Sequence, residues 1–280
     1  MKIKYLGTAA AEGIPALFCY CKSCEEARRL GGKSIRTRSQ AIIDDALLID
    51  FPADTYLHVL YGGLELHKVR HCLITHAHCD HLYPDEISMR HKNFAKIPAK
   101  EEGALCFYGS RAVKKKVGGI IYDYDLEQQD RAAFRHVLPF QTYDVGGYAV
   151  TPLLATHDPM AEPYIYVIAK DGKTMLYGND TGLFPEKTWD YLAKSGIRFD
   201  FVSLDCTEGD GPIGYDSHMN LERDLLVRER LCAMGCADEK TVFCANHFSH
   251  NGGNVTYGVF AERAKEKGFL TSYDGMTVEF

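Results

Sequence analysis

Residues 75–81, Thr-His-Ala-His-Cys-Asp-His, decide more about this chain than any other stretch of its 280 residues. They follow a short apolar run, which predicts a buried strand. Alternation at the end of a strand sends His76 and His78 to the same face, so both imidazoles can reach one ion. Asp80 and His81 come where the chain must turn, and we expect them to reach a second ion beside the first. Four such ligands next to a strand predict a metal site.

This spacing resembles the HxHxDH signature of the metallo-β-lactamase superfamily. The resemblance implies an α/β (α+β) fold, the αββα metallo-β-lactamase sandwich, in which loops at one edge of two sheets hold two metals. It also implies three later ligands, each after a strand, and the chain has a candidate for each: His157, Asp180 and His247. The resemblance then divides the ligands between the two ions. His76, His78 and His157 hold one, Asp80, His81 and His247 hold the other, and Asp180 bridges them.

The composition is that of an ordinary soluble globular protein, with 46% hydrophobic and 25% charged residues. No apolar stretch approaches the roughly 20 residues of a membrane span. The net charge of −6 gives no general attraction to nucleic acid. Ten cysteines without a secretory signal predict free thiols in a reducing cytoplasm. No linker or repeat divides the chain, so we expect one domain over residues 1–280.

Three of the cysteines lie within six residues, in a loop at 19–24 that follows the first expected strand. Three thiolates lack one ligand of a closed tetrahedral zinc site. The obvious fourth ligand is His250, three residues beyond His247. The sequence therefore predicts a structural zinc held by Cys19, Cys21, Cys24 and His250. The alternative is that these cysteines are free thiols and that His250 is a surface residue.

The cysteine loop and residues 6–15 before it resemble the PhnP-type cyclic phosphodiesterases of the carbon–phosphorus lyase pathway. That family has a structural zinc with the same ligand arrangement, and its further catalytic histidine matches His218. The PqqB proteins of pyrroloquinoline-quinone biosynthesis share the loop, so the loop alone does not fix the substrate. The resemblance is weak between about residues 90 and 136, a charged segment whose role the sequence leaves open.

Hydrophobic periodicity and turn residues give an order of elements consistent with that fold. Strands are expected at residues 2–7, 39–44, 46–51, 71–75, 104–108, 147–156, 164–169, 174–177, 199–205, 241–245 and 276–280. Helices are expected at residues 53–61, 84–94, 111–117, 186–194, 220–234 and 256–267.

The sequence predicts a cytoplasmic, binuclear metal-dependent phosphodiesterase that acts on a small cyclic phosphate ester, with zinc, manganese or iron in its active site. We expect Asp80 to orient the attacking water and His218 to act as a general acid. The alternative for His218 is a helix-capping or surface residue. The alternatives are hydrolysis of a lactone, thioester or amide, an iron oxidoreductase, and a PqqB-like protein without catalysis. The partner expected is a small molecule rather than nucleic acid or a membrane, and a homodimer stays open. Asp158 and Asp205 lie near proposed ligands and are candidates to hold them by hydrogen bonds, although structural roles are favoured for both.

Overall fold

The computed structural model describes residues 1–97, 103–253 and 256–280, and within them two mixed β-sheets face each other. In spatial order, the first sheet contains Thr277–Glu279 (β14), Lys2–Gly7 (β1), Gln40–Ile43 (β2), Leu47–Ile49 (β3), His71–Leu73 (β4), Leu105–Gly109 (β5) and Ala132–His136 (β6). The second contains Phe269–Thr271 (β13), Val242–Asn246 (β12), Phe201–Asp205 (β11), Lys173–Gly178 (β10), Tyr164–Lys170 (β9), Tyr148–Leu154 (β8) and Tyr143–Val145 (β7).

Helices cover the outer faces of the two sheets. The α-helices of the described residues are Lys22–Leu30 (α1), Thr55–Leu60 (α2), Arg111–Asp123 (α3), Glu186–Ser195 (α4), Leu221–Ala233 (α5) and Tyr257–Glu266 (α6). Two of them begin at side-chain caps, where Ser110 accepts from the Val113 N–H and Asn220 accepts from the Arg223 N–H. Such caps satisfy N–H groups that have no partner inside the helix. Among the described residues, no helix is both long and apolar enough to span a membrane.

Three hydrophobic clusters separate the layers. The middle cluster joins inward residues of both sheets, such as Ile49 and Ile168. A second packs the first sheet against α3, where Val117 is fully buried. A third packs the second sheet against α4, α5 and α6, through residues that include Trp189 and Phe260. Because each sheet buries one face on the other sheet and one on helices, this layering confirms the predicted αββα sandwich.

The strand directions bring the ends of several strands to one edge. Strands β3 to β6 are parallel to one another, and so are β10 to β13. The carboxyl ends of parallel strands meet at the same edge of a sheet. His76 follows β4, Asp180 follows β10 and His247 follows β12 at these ends. Asp180 and His247 have φ values of 52° and 64°, so the chain turns sharply where each side chain leaves its strand.

Some predicted elements differ from the observed ones. The helix expected at 84–94 is a 3₁₀ helix over Pro84–Arg90, where the Ser88 hydroxyl donates to the Asp85 carbonyl and competes with regular helical bonding. The helix expected at 111–117 extends to Asp123. The short strands β6, β7 and β13 were not expected, and β6 lies inside the charged segment at 90–136. That the chain forms one domain stays a prediction.

Candidate metal centre

The first predicted ligand set meets at the edge of the two sheets. His76, His78, His157 and Asp180 each offer a ligand atom, and these atoms lie within 4.8 Å of one another. His157 Nε2 lies 3.1 Å from His78 Nδ1, and His76 Nε2 lies 3.1 Å from Asp180 Oδ2. His76 and Asp180 are almost fully buried, whereas His78 is partly exposed. The structure therefore gathers the residues that the resemblance gave to the first ion and its bridge.

The second set lies beside the first and shares Asp180 with it. Asp80, His81, Asp180 and His247 also place their ligand atoms within 4.8 Å of one another. His81 Nε2 lies 3.1 Å from Asp180 Oδ2, 3.4 Å from Asp80 Oδ2 and 3.2 Å from His247 Nε2. Because one carboxylate belongs to both sets, the two sets form one continuous centre. Asp180 occupies the position expected of a bridging group.

Side chains outside the two sets hold the imidazoles by their other ring nitrogens. His78 Nε2 lies 3.1 Å from an Asp158 carboxylate oxygen. His81 Nδ1 lies 2.7 Å from Asp50 Oδ2. In each ring the other nitrogen, Nδ1 of His78 and Nε2 of His81, is therefore directed at the centre. Such carboxylate–imidazole pairs fix ring orientation at metal sites and raise ligand basicity.

Buried polar atoms without partners mark the centre as suited to cations. His76 Nε2 and Asp180 Oδ1 are buried, and their contacts with Asp180 Oδ2 and His218 Nδ1 do not have the geometry of a hydrogen bond. A buried polar atom without a partner is unfavourable, and a bound cation would satisfy both of these. Imidazole and carboxylate are also the donors that divalent zinc, manganese and iron accept. The residues present therefore fit divalent metal ions.

The pKa directions of His76 and Asp180 fit metal binding, whereas His81 would have to lose a proton to a metal. Burial acts to lower the pKa of His81, but the charges of Asp50 and Asp80 outweigh it and raise that pKa well above its ordinary value. Burial lowers the pKa of His76 to about 4, helped by the nearby His81, so this imidazole is neutral near pH 7. Burial acts to raise the pKa of Asp180, but the charges of His247 and His76 outweigh it and hold that pKa well below its usual range. Neutral imidazoles and ionised carboxylates are the forms that bind metals.

His218 lies at the border of the centre, in the loop before α5. Its Nδ1 is 3.4 Å from Asp205 Oδ2 and 3.4 Å from Asp180 Oδ1. Burial acts to lower its pKa, but the hydrogen bond and charge of Asp205 outweigh burial and raise the pKa to about 9. With Asp180, Asp205 and His247 it also forms a third group at metal-ligand spacing. The structure thus places His218 beside Asp180 at the centre.

A cavity of about 240 Å³ opens onto the centre. Its walls include groups from both sets, such as Asp80, His157 and Asp180, together with His218. The remaining lining residues are Ala10, Ala11, Glu12, His78, Thr207, Glu208, Tyr215, His247, Ser249 and Asn251. A cavity of this size admits a small substrate directly to the grouped ligands.

The sequence matches a known family. Residues 53–236 match the profile of the β-lactamase superfamily domain. The chain belongs to the β-lactamase superfamily. It is thus a member of a family of metal-dependent hydrolases. A comparison with curated proteins gave no significant match.

Solved structures share this superfamily fold over the whole chain. A diphosphatase from the PhnP family has 18% identity and a TM-score of 0.73, over 100% of this chain and 97% of its own. Zinc-bound PqqB from Methylobacterium extorquens has 15% identity and a TM-score of 0.75, over 100% of both chains. Human tRNase Z, short form, has 13% identity and a TM-score of 0.64, over 100% of this chain and 99% of its own. At identities of 13% to 18%, the structural similarity shows that this chain shares their fold.

The predicted cysteine site lies apart from this superfamily centre. Cys19, Cys21, Cys24 and His250 place their ligand atoms within 4.8 Å of one another. The Sγ atoms of Cys19 and Cys21 each lie 3.5 Å from His250 Nδ1. Cys24 is buried and accepts from the Ala16 N–H. The cluster ties the N-terminal loop to the segment that follows β12.

Several residues that shape the centre were not found from the sequence. Asp158 and Asp205 were considered as partners of the ligands, with structural roles favoured, and the structure places both carboxylates against centre histidines. Asp50 and Thr207 were not singled out, although Thr207 Oγ1 lies 2.8 Å from His247 Nδ1. Asp205 ends β11, which lies between the strands that precede Asp180 and His247. This position at a strand end was the sequence signal that could have identified Asp205 as part of the centre.

Proposed function

We propose that this chain is a binuclear phosphodiesterase that hydrolyses a small, singly charged phosphate ester, cyclic esters included. The observation that carries the proposal is the pair of ligand sets that share Asp180 at the base of a small cavity. We assign His76, His78 and His157 to one ion and Asp80, His81 and His247 to the other. Zinc, manganese and iron all suit these donors.

When bound, the two ions supply hydroxide from water near neutral pH and polarise a phosphoryl oxygen. The chain's own residues place these charges. Asp180, between the sets, offsets repulsion between the cations. Asp80 accepts a hydrogen bond from the attacking water and orients it toward phosphorus. Asp50 and Asp158 fix the imidazole rings of His81 and His78, which keeps the geometry constant during the reaction.

His218 is assigned the role of general acid because of where it lies. It lines the cavity, and Asp205 holds its Nδ1 edge. Its Nε2 is then the nitrogen that donates a proton to the departing alkoxide. A positioned general acid contributes roughly 10²–10⁴-fold to a rate.

We also propose a structural zinc at Cys19, Cys21, Cys24 and His250, because the four ligands complete a tetrahedral donor set. This zinc would fix the segment after β12 that carries His247. The second candidate function is hydrolysis of a diphosphate. It is favoured by the PhnP-family diphosphatase that shares the fold across the whole chain.

The test is a substrate panel combined with His218→Ala. The metal-loaded protein should hydrolyse phosphodiesters in preference to lactones, thioesters and diphosphates. His218→Ala should keep its metal content and lose roughly 10²–10⁴-fold in turnover of alkyl esters, with a smaller loss for nitrophenyl esters, which leave without protonation. His67→Ala, which removes an exposed histidine, is the control. Equal losses on both ester types would remove the acid role, and activity on lactones alone would overturn the substrate class.

A further inference from the structure

A second depression lies beside the cavity that opens onto the metal centre. Its volume is about 440 Å³, and His157 lines both spaces. Because His157 is a proposed ligand of the first ion, the depression is continuous with the centre. The cavity itself, at about 240 Å³, is smaller than most sites that enclose a whole ligand. A phosphodiester has two alcohol arms, so the depression offers room for the second one.

Rigid apolar groups form most of the walls of the depression. Three of the lining residues are prolines, Pro159, Pro163 and Pro185, whose rings fix the backbone and offer no N–H donor. Leu138 and Tyr164 lie in the same lining. Tyr164 is only 7% exposed, so burial holds its ring in place. Flat aromatic groups pack favourably against walls of this kind.

Polar groups of the wall already have partners inside the chain. The Leu154 carbonyl accepts from the Thr188 hydroxyl at 2.8 Å, and Glu162 Oε2 accepts from the Ala112 N–H at 2.9 Å. These groups are therefore engaged before any ligand arrives. A polar arm would gain few hydrogen bonds there, whereas an apolar arm would gain the free energy of leaving water.

Two exposed side chains, Arg111 and His136, also line the depression. Arg111 and Glu162 carry opposite charges, so this pair gives the depression no net charge that would select a second charged group. A guanidinium group stacks on the face of an aromatic ring. Arg111 therefore favours an aromatic arm over a saturated one.

The position of His218 indicates which arm lies in the depression. His218, the proposed general acid, lines the cavity, but it is not among the described residues that line the depression. A general acid must reach the oxygen of the leaving group. The leaving alcohol therefore belongs in the cavity, and the arm that stays on phosphorus extends past His157.

We propose that the depression binds an aromatic arm that stays on phosphorus, so that the substrate is a phosphodiester of one aromatic and one smaller alcohol. The inference rests on the proposed function and narrows its substrate class. The bond from phosphorus to the oxygen of the smaller alcohol breaks. Water supplies the new oxygen on phosphorus, and the smaller alcohol leaves with a proton from His218. The products are that alcohol and the phosphate monoester of the aromatic alcohol.

The experiment gives the metal-loaded protein three methyl phosphodiesters whose second arm is benzyl, cyclohexylmethyl or methyl. Burial of about 100 Å² of ring surface at about 25 cal/mol for each Å² corresponds to about 70-fold in affinity. The kcat/KM of the benzyl ester should therefore exceed that of the dimethyl ester about 70-fold. It should exceed that of the cyclohexylmethyl ester about 3-fold to 10-fold, because aromatic contacts add to area burial. The products should be benzyl phosphate and methanol.

Substitutions at Leu138 test the wall itself. Leu138→Asn should lower the benzyl-to-methyl ratio about 5-fold, because an amide replaces apolar surface, whereas Leu138→Met should keep the ratio. Leu138 is 43% exposed, so both variants should fold. Leu270→Asn is the matched control, because Leu270 is 40% exposed and lies on β13, at the opposite end of the second sheet from β7 and β8.

Binding of matching phosphinates, in which methylene groups replace both ester oxygens, separates this inference from the proposed function. Titration calorimetry should show the same order of affinities and the same loss in Leu138→Asn. If none of the esters is hydrolysed but this order holds, the phosphodiesterase assignment fails and the aromatic-arm site stands. The site is overturned if the benzyl compounds show no advantage over the cyclohexylmethyl ones, if Leu138→Asn keeps the native ratio, or if benzyl alcohol is the main product.

Discussion

Asp180→Asn tests the bridging carboxylate, on which the binuclear assignment depends. Asp180 is 3% exposed and lies within 3.5 Å of imidazole nitrogens of His76, His81, His157 and His218. Asn preserves the shape of the side chain and is tolerated at the positive φ of 52° found there. The substitution therefore removes one negative charge and little else.

The size of the effect follows from the charges involved. Two divalent ions about 3.8 Å apart, a typical binuclear spacing, repel by about 4 kcal/mol even at the dielectric constant of water. A unit negative charge about 2 Å from an ion stabilises it by about the same amount at that dielectric. Loss of the charge should weaken binding of the second ion by at least about 4 kcal/mol, which is about 10³-fold.

The assay measures metal content by mass spectrometry after desalting, with affinity from competition against a chelator. Asp180→Asn should retain at most one active-site ion and lose about 10³-fold or more in turnover, while circular dichroism shows a folded chain. Asp45→Asn removes the same charge from an exposed ion pair with Lys2 and should change neither quantity. The bridging role would be refuted if the variant kept both ions, bound them with an affinity within tenfold of the native value and retained at least a tenth of the native turnover.

Two further substitutions test other parts of the chain. Cys21→Ser should release the zinc of the cysteine cluster and lower the melting temperature markedly, because a structural zinc contributes on the order of 10 kcal/mol; unchanged zinc content and melting temperature would contradict this. Burial lowers the pKa of His58 to about 4, against 6.5 for an exposed imidazole. A depressed pKa gives stability that is present above pH 6.5 and is lost as the pH falls toward 4. Urea unfolding should therefore show about 2–3 kcal/mol less pH dependence between pH 7.5 and 4.5 for His58→Asn than for the native chain.

The parts of the fold that were predicted are those with a strong local pattern. Long apolar strands such as β8, β9 and β10 can be recognised from their composition. The Asp171-Gly172 turn predicts the hairpin between β9 and β10. Candidate ligands at strand ends could be found in the same way, because each follows an apolar run. The short strands β7 and β13 have three residues each and give too little periodicity to detect.

The partners of the ligands could not be predicted, because they depend on distant parts of the chain. Asp50 lies 31 positions from His81, and Asp158 lies 80 positions from His78. Asp50 sits in no pattern that distinguishes it from other acidic residues, and Asp158 adjoins the proposed ligand His157 rather than His78, which it contacts. Only the packing of the two sheets brings each one to its imidazole.

At the metal centre, the backbone conformation and the burial of polar atoms both make the folded state less stable in the absence of a cation. Asp50, Asp180 and His247 all have positive φ, which is unfavourable for residues other than glycine by about 1–3 kcal/mol each. Glycine would relieve that strain but would provide no ligand or hydrogen-bond acceptor. The centre also buries unpartnered polar atoms of His76 and Asp180, which is unfavourable without a cation. We therefore expect folding of this chain to be coupled to metal binding, because ions bound to these residues would stabilise the conformation that the strand ends impose.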